Sequence, residues 1–235
     1  MTLQSVMKEL EGYGNGQTKD IYISHGAREP LYGVKITDLK KIVKKIKIDH
    51  SLALELYVTG NSDAMYLAGL IADPKVVTKD ELRKWAKNAY WYMLSEYTVA
   101  GLAAESPYGW ELALEWINSN EEMVESDGWA TLSYWVSLKP DDELHMDALS
   151  EFMQIVVENI GSSKNRVRYT MNSFIISVGS YVTSLSEEAI NIAHQIGKVV
   201  VDMGGAACKV PLAEEYIDKV ITTGRLGKKR KEVRG

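Results

Sequence analysis

The run Asn88-Ala89-Tyr90-Trp91-Tyr92-Met93-Leu94-Ser95-Glu96-Tyr97 gathers four aromatic rings around one carboxylate. Aromatic faces and carboxylates both attract positive charge, so these residue types suit a site that holds a cation. The plainer alternative is a core in which the rings pack and Glu96 hydrogen-bonds a neighbouring helix. A different chemistry is written in residues 35–47, KITDLKKIVKKIK, where six lysines and one aspartate leave a net +5. Lysines in that density can grip phosphate, and equally can form a solvated helix face.

Other reactive side chains are sparse. His25, His50, His145 and His194 have no partner at metal-ligand or HExxH spacing, which makes each a structural or surface histidine. Cys208 is the single cysteine, so it has no partner for an internal disulfide or a thiolate zinc site, and a small buried thiol is expected. Neither a metal nor a cofactor is expected, and no Rossmann or P-loop glycine pattern occurs.

The elements that must position these groups read as helices. Leu39, Ile42, Val43 and Ile46 recur at helical spacing and leave Lys40, Lys41, Lys44 and Lys45 on the exposed flanks. Capping boxes are expected at Thr78/Glu81, Ser119/Glu122 and Ser184/Glu187. Further helices are expected near 2–12, 49–59, 61–73, 90–104, 108–118, 141–159, 165–182 and 211–222. Pairs such as 37–59, 61–86 and 108–137 recur on the scale of HEAT-type repeats. The expected fold is all-α, an α-solenoid of HEAT-like antiparallel helical repeats with a concave surface, in a single domain over 1–235 with a basic C-terminal tail at about 225–235; a compact helical bundle is the alternative.

With 46% hydrophobic and 25% charged residues in 235, the chain has ordinary globular composition and no apolar run long enough to span a membrane. The N-terminus lacks the basic-then-apolar pattern of a secretory signal, and one cysteine fits a reducing compartment, so a cytoplasmic location is expected. The net charge of −5 is unevenly sorted. Residues 225–235 carry a net +5 and residues 105–158 a net −12, with Lys164, Arg166 and Arg168 forming a further basic group. Sorted charge of this size steers a polyanion to one side of a protein.

The segment 31–42, LYGVKITDLKKI, resembles the aromatic-Gly-Val entry and basic helix of the DNA alkylation repair family, the AlkD-like HEAT-repeat DNA glycosylases. The resemblance continues in order through NSDAMYLAGLIAD at 61–73, WAKNAYWYMLSEY at 85–97, SNEEMVESDGWATLSYWV at 119–136, VRYTMNSFIISVG at 167–179 and IGKVVVDMGGAACKVPLAEEYI at 196–217, covering about residues 30–220. It implies a curved helical surface for double-stranded DNA. It also implies release of cationic N3- or N7-alkylated purines, without the usual full extrusion of the base. The family's tryptophan matches Trp91, but its aspartate, four residues on, falls at Ser95, with Glu96 one step around the helix. The family's arginine falls at Gly128, between Asp127 and Trp129, and a further tryptophan falls near Ser173.

The candidate catalytic residues are therefore Trp91, Glu96, Asp127 and Trp129, with Tyr92 pairing Glu96 at i, i+4. The candidate DNA-binding residues are Lys40, Lys41, Lys44, Lys45, Arg166 and Arg168. Two principal readings stand: a glycosylase in which Glu96 or Asp127 replaces the missing aspartate, and a noncatalytic scaffold for damaged or branched DNA. A third is a protein-binding solenoid that recruits a basic partner through its acidic region.

Overall fold

Local sequence signals open several of the helices. In the computed structural model, which describes residues 1–204 and 209–234, Thr78 Oγ1 accepts from the Glu81 amide at 3.2 Å. Glu81 Oε2 accepts from the Thr78 amide at 2.7 Å, so the capping box forms as expected. Asn61 likewise accepts from the amides of Asp63 and Ala64 at 3.1 Å each.

Three helices, α1 (Leu3–Gly12), α2 (Gly16–Ser24) and α3 (Ile36–Ile46), precede a series of pairs. Helix α4 (His50–Tyr57) packs on α5 (Ser62–Ile71). Helix α6 (Lys79–Asn88) precedes a π-helical segment, Met93–Val99, that runs into α7 (Ala100–Glu105). Helices α8 (Gly109–Trp116) and α9 (Glu122–Leu138), then α10 (Met146–Asn159) and α11 (Asn165–Tyr181), then α12 (Ser186–Ile196) and α13 (Ala213–Thr222), complete the series. No strand occurs among the described residues. Helix α5, the π segment with α7, α9, α11 and α13 pack successively against one another as an inner layer, and α4, α6, α8, α10 and α12 form the outer one. This is the expected α-solenoid, whose inner layer lines the concave side.

The core is made of two apolar clusters that meet on α8, where Leu112 and Trp116 belong to the first and Ala113 to the second. Side chains such as Leu67, Leu94 and Leu102 are fully buried, each contributing roughly 1.5–3 kcal/mol. Outer helices are stitched across repeats by Lys79–Glu111 and Arg83–Glu115 ion pairs, at 2.6 and 2.7 Å, which engage part of the acidic stretch.

Several local expectations are corrected. Ser119/Glu122 forms no capping box: α9 has Glu121 at its N-cap without a side-chain bond, and Glu122 instead accepts from the Arg166 amide at 2.8 Å. Ser184/Glu187 forms none either, because 183–185 is a 3-10 turn and α12 begins at Ser186. The helix expected over 141–159 breaks at Leu144, leaving a short 3-10 turn before α10. Helix α2 falls in a stretch assigned no element from sequence, and the 37–59 and 61–86 pairs are offset by one helix, since α4 packs on α5.

Candidate nucleic-acid interface

The inner helices run parallel, so their N-terminal and C-terminal ends form two edges of the concave face. The N-terminal edge holds the aromatic run. Trp91 is buried: its Nε1 donates to Ser62 Oγ at 2.9 Å and its ring packs 5.5 Å from that of Tyr22. The next residues form a π-helix, whose i→i+5 bonding absorbs one extra residue per turn and is often found at functional sites.

Glu96 is 3% exposed and fully engaged. Arg166, at the start of α11, donates from Nε to Oε1 at 2.8 Å and from Nη2 to Oε2 at 2.5 Å, a bidentate pair. The guanidinium carbon lies 4.4 Å from the ring centres of both Tyr92 and Tyr169. Tyr92 and Glu96, expected to pair with each other, both contact Arg166 instead. Burial pushes the Glu96 carboxyl up to about 7 against the pull of Arg166, and the nearby Glu122 adds to the rise. A cavity of about 250 Å³ opens beside this cluster, lined by His25, Tyr92, Glu122, Asn165, Arg166 and Asp202 among others.

The structure does not bring the other candidate catalytic residues to this cavity. Trp129 is 1% exposed in the second core cluster, 5.4 Å from Phe174. Asp127 is fully buried; Thr131 donates to its Oδ1 at 3.3 Å, and its Oδ2 has no partner among the described residues. Burial, reinforced by Glu96, holds the Asp127 carboxyl well above its ordinary range. Gly128 lies where α8 and α9 nearly touch: a Cβ there would sit 2.6 Å from the Ile117 amide nitrogen. Any side chain there must push the two helices apart.

The cations divide. Lys41 pairs with Asp38 at 2.7 Å and Lys45 with Glu9 at 2.5 Å, whereas exposed Lys40 and Lys44 make no ion pair among the described residues. Arg166 is engaged by Glu96 rather than left exposed, and half-buried Arg168 has an Nε without a partner among the described residues. Lys164 pairs with Glu125 at 2.7 Å. Of the histidines, His50 lies 3.5 Å from Glu81, His194 lies 3.1 Å from Glu214, and His145 packs on Trp110. Cys208 lies outside the described residues.

The C-terminal edge holds what sequence reasoning missed. Residues 225–234 are a strap laid over the C-terminal ends of four inner helices. Gly227 N donates to Ser180 O on α11 at 3.0 Å, and Arg230 N to Ser137 O on α9 at 2.8 Å. Lys229 Nζ donates to Val136 O at 2.9 Å and pairs with Asp141 at 2.8 Å. Arg234 Nε donates to Glu105 Oε2, at the end of α7, at 2.8 Å; its Nη1 donates to Ala72 O at 2.9 Å and to Gly69 O, at the end of α5. Helix C-termini carry unsatisfied carbonyls and partial negative charge, so a basic segment is the natural cover.

A model of the family described as DNA alkylation repair enzyme matches residues 6–198. The chain belongs to that family. Family relatives include the uncharacterized protein Lin0241 of Listeria innocua, 36% identical over 225 residues, 93% of this chain and 97% of that one. The uncharacterized protein Lmo0209 of Listeria monocytogenes is 35% identical over the same shares. A solved structure superimposes with a TM-score of 0.91 at 40% identity, covering 100% of both chains. It is described as a new family of proteins related to the HEAT-like repeat DNA glycosylases, with affinity for branched DNA structures. The family fold is therefore present.

Proposed function

We propose that this protein binds branched DNA along its concave face and does not excise bases. The observation that carries this reading is the engagement of Glu96: the only carboxylate in the family's aromatic run is buried and bidentately paired with Arg166. A carboxylate that stabilises a developing sugar cation must face the substrate. Here Ser95 is fully buried, Asp127 is sealed in the core, and Trp91 and Trp129 are packed as core side chains. We assign these residues to packing, and assign DNA contact to the cations that remain available, Lys40 and Lys44 first, with Lys41, Lys45 and Arg168 beside them. Exposed ion pairs such as Lys41–Asp38 are weak and exchange readily for a phosphate.

The affinity of the solved relative for branched DNA supports the choice of partner. No helix among the described residues is long and apolar enough to cross a membrane, and a cytoplasmic place is part of the same proposal.

The test joins two measurements on one preparation. Base release is followed from duplexes carrying N7-methylguanine and N3-methyladenine, and binding is titrated on a three-way junction and a linear duplex at two salt concentrations. No release above the spontaneous rate, with tighter and salt-dependent binding to the junction, is expected. Enzymatic release would restore the glycosylase reading, with Glu96 as the stabilising group.

A further inference from the structure

The strap does more than cover helix ends: it closes one wall of a cavity of about 240 Å³ on the C-terminal edge of the concave face. Its other walls come from α3, α5, the π segment and α9, and its polar lining is dominated by Lys40, Tyr66, Tyr97, Tyr134, Arg230 and Arg234. No carboxylate of the described residues lines it. Arg234 is paired with Glu105, but Lys40 and Arg230 make no ion pair among the described residues. The three tyrosine rings arise from three successive inner elements. Their hydroxyls make no hydrogen bond among the described residues, and Tyr97 is 40% exposed on an otherwise buried segment. Burial raises all three phenols, so they stay protonated and can donate.

Unpaired cations beside unsatisfied tyrosine hydroxyls and ring faces are the groups that hold single-stranded nucleic acid: cations for phosphate, aromatic faces for the base. The volume is below the roughly 300–1,000 Å³ that encloses a drug-sized ligand, so the cavity suits one unit of a chain that continues outside.

We propose that this strap-walled cavity takes one unpaired nucleotide of a branched DNA, with its phosphate between Lys40 and Arg230 and its base against Tyr97 and Tyr134. This rests on the DNA-binding reading above and adds to it a reason for preferring branch points, where unpaired nucleotides occur. The strap itself takes part, because it places Arg230 at the cavity with the Arg230 amide donating to Ser137 O.

The experiment compares a three-way junction carrying 2-aminopurine at an unpaired position with a fully paired linear duplex. Binding of the wild-type protein should change the 2-aminopurine fluorescence, as stacking on a tyrosine requires. Tyr97→Ala should abolish that change and weaken junction binding about fivefold or more, while linear-duplex affinity stays within about twofold. Tyr97→Phe, which keeps the ring, should preserve the fluorescence change. Arg230→Gln, on the exposed strap, gives a second arm that does not depend on the π segment folding, and should also weaken the junction selectively.

Equal losses on both DNAs, or none on either, would overturn the proposal. A wild-type protein that binds the junction without altering 2-aminopurine would overturn this inference alone. One that binds neither DNA would overturn the DNA-binding reading with it.

Discussion

Arg166 and Glu96 lie 70 residues apart in the chain and meet as a buried bidentate pair, with Tyr92 and Tyr169 near the guanidinium. Removing one partner leaves the other buried and uncompensated, a loss of roughly 3–5 kcal/mol. Glu96→Gln and Arg166→Met should each lower stability on that scale, and the double variant by clearly less than the sum. Urea unfolding of the four proteins measures the coupling; additive losses would mean that the pair does not act as a unit.

Asp127 supplies the pH test. Its carboxyl is raised from 3.8, so the unfolded chain loses this proton first while the folded protein retains it. Above the unfolded value, stability from this group falls as pH rises, and continues to fall until the folded group ionises. Asp127→Asn removes the titration while keeping the shape. The stability advantage of Asp127→Asn over wild type should therefore be larger at pH 8 than at pH 5, by up to about 1.4 kcal/mol for each pH unit within the window. A pH-independent difference between the two unfolding curves would show that Asp127 is not raised.

Gly128 should resist restoration of the glycosylase pattern. A Cβ 2.6 Å from the Ile117 nitrogen forces α8 away from α9, and overpacking of this kind costs typically 1–3 kcal/mol. Gly128→Ala should lower the thermal midpoint, and Gly128→Arg should lower it further without producing base release. A neutral Gly128→Ala would mean that the two helices can separate cheaply.

Glu105 anchors the strap. Glu105→Gln weakens the charged hydrogen bond with Arg234 and the acceptor for the Val233 amide, and should cost about 1.5–3 kcal/mol. Limited proteolysis should then cut within 225–234 sooner than in the wild type. An unchanged cleavage pattern would show that the strap is held without Glu105.

Lys40 and Lys44 are the test of the phosphate track. Lys40→Ala with Lys44→Ala should weaken duplex binding and reduce the slope of log K against log salt by about 0.9 for each phosphate no longer neutralised. An unchanged slope would remove α3 from the interface.

What the sequence determined by itself is local and periodic. The stripe of α3 buries Leu39 and Ile42 and leaves Lys40, Lys41, Lys44 and Lys45 exposed, as its spacing required, and the Thr78 box forms because all its atoms lie within four residues. The order of degenerate segments was enough for the family, because stacked helical hairpins repeat the same apolar faces. The tertiary structure alone decided which charges remain available. Arg166 reads as a phosphate ligand at a helix start, and Glu96 as a carboxylate facing a substrate, until the stacking of α11 beside the π segment brings them together. Nothing in the sequence around the basic tail, whose single acid is Glu232, shows what it packs on. Its partners are Glu105 and the carbonyl ends of helices up to 165 residues away. Periodicity fixes which face of a helix is buried; only the packing of one repeat on the next fixes what each buried or basic group finds there.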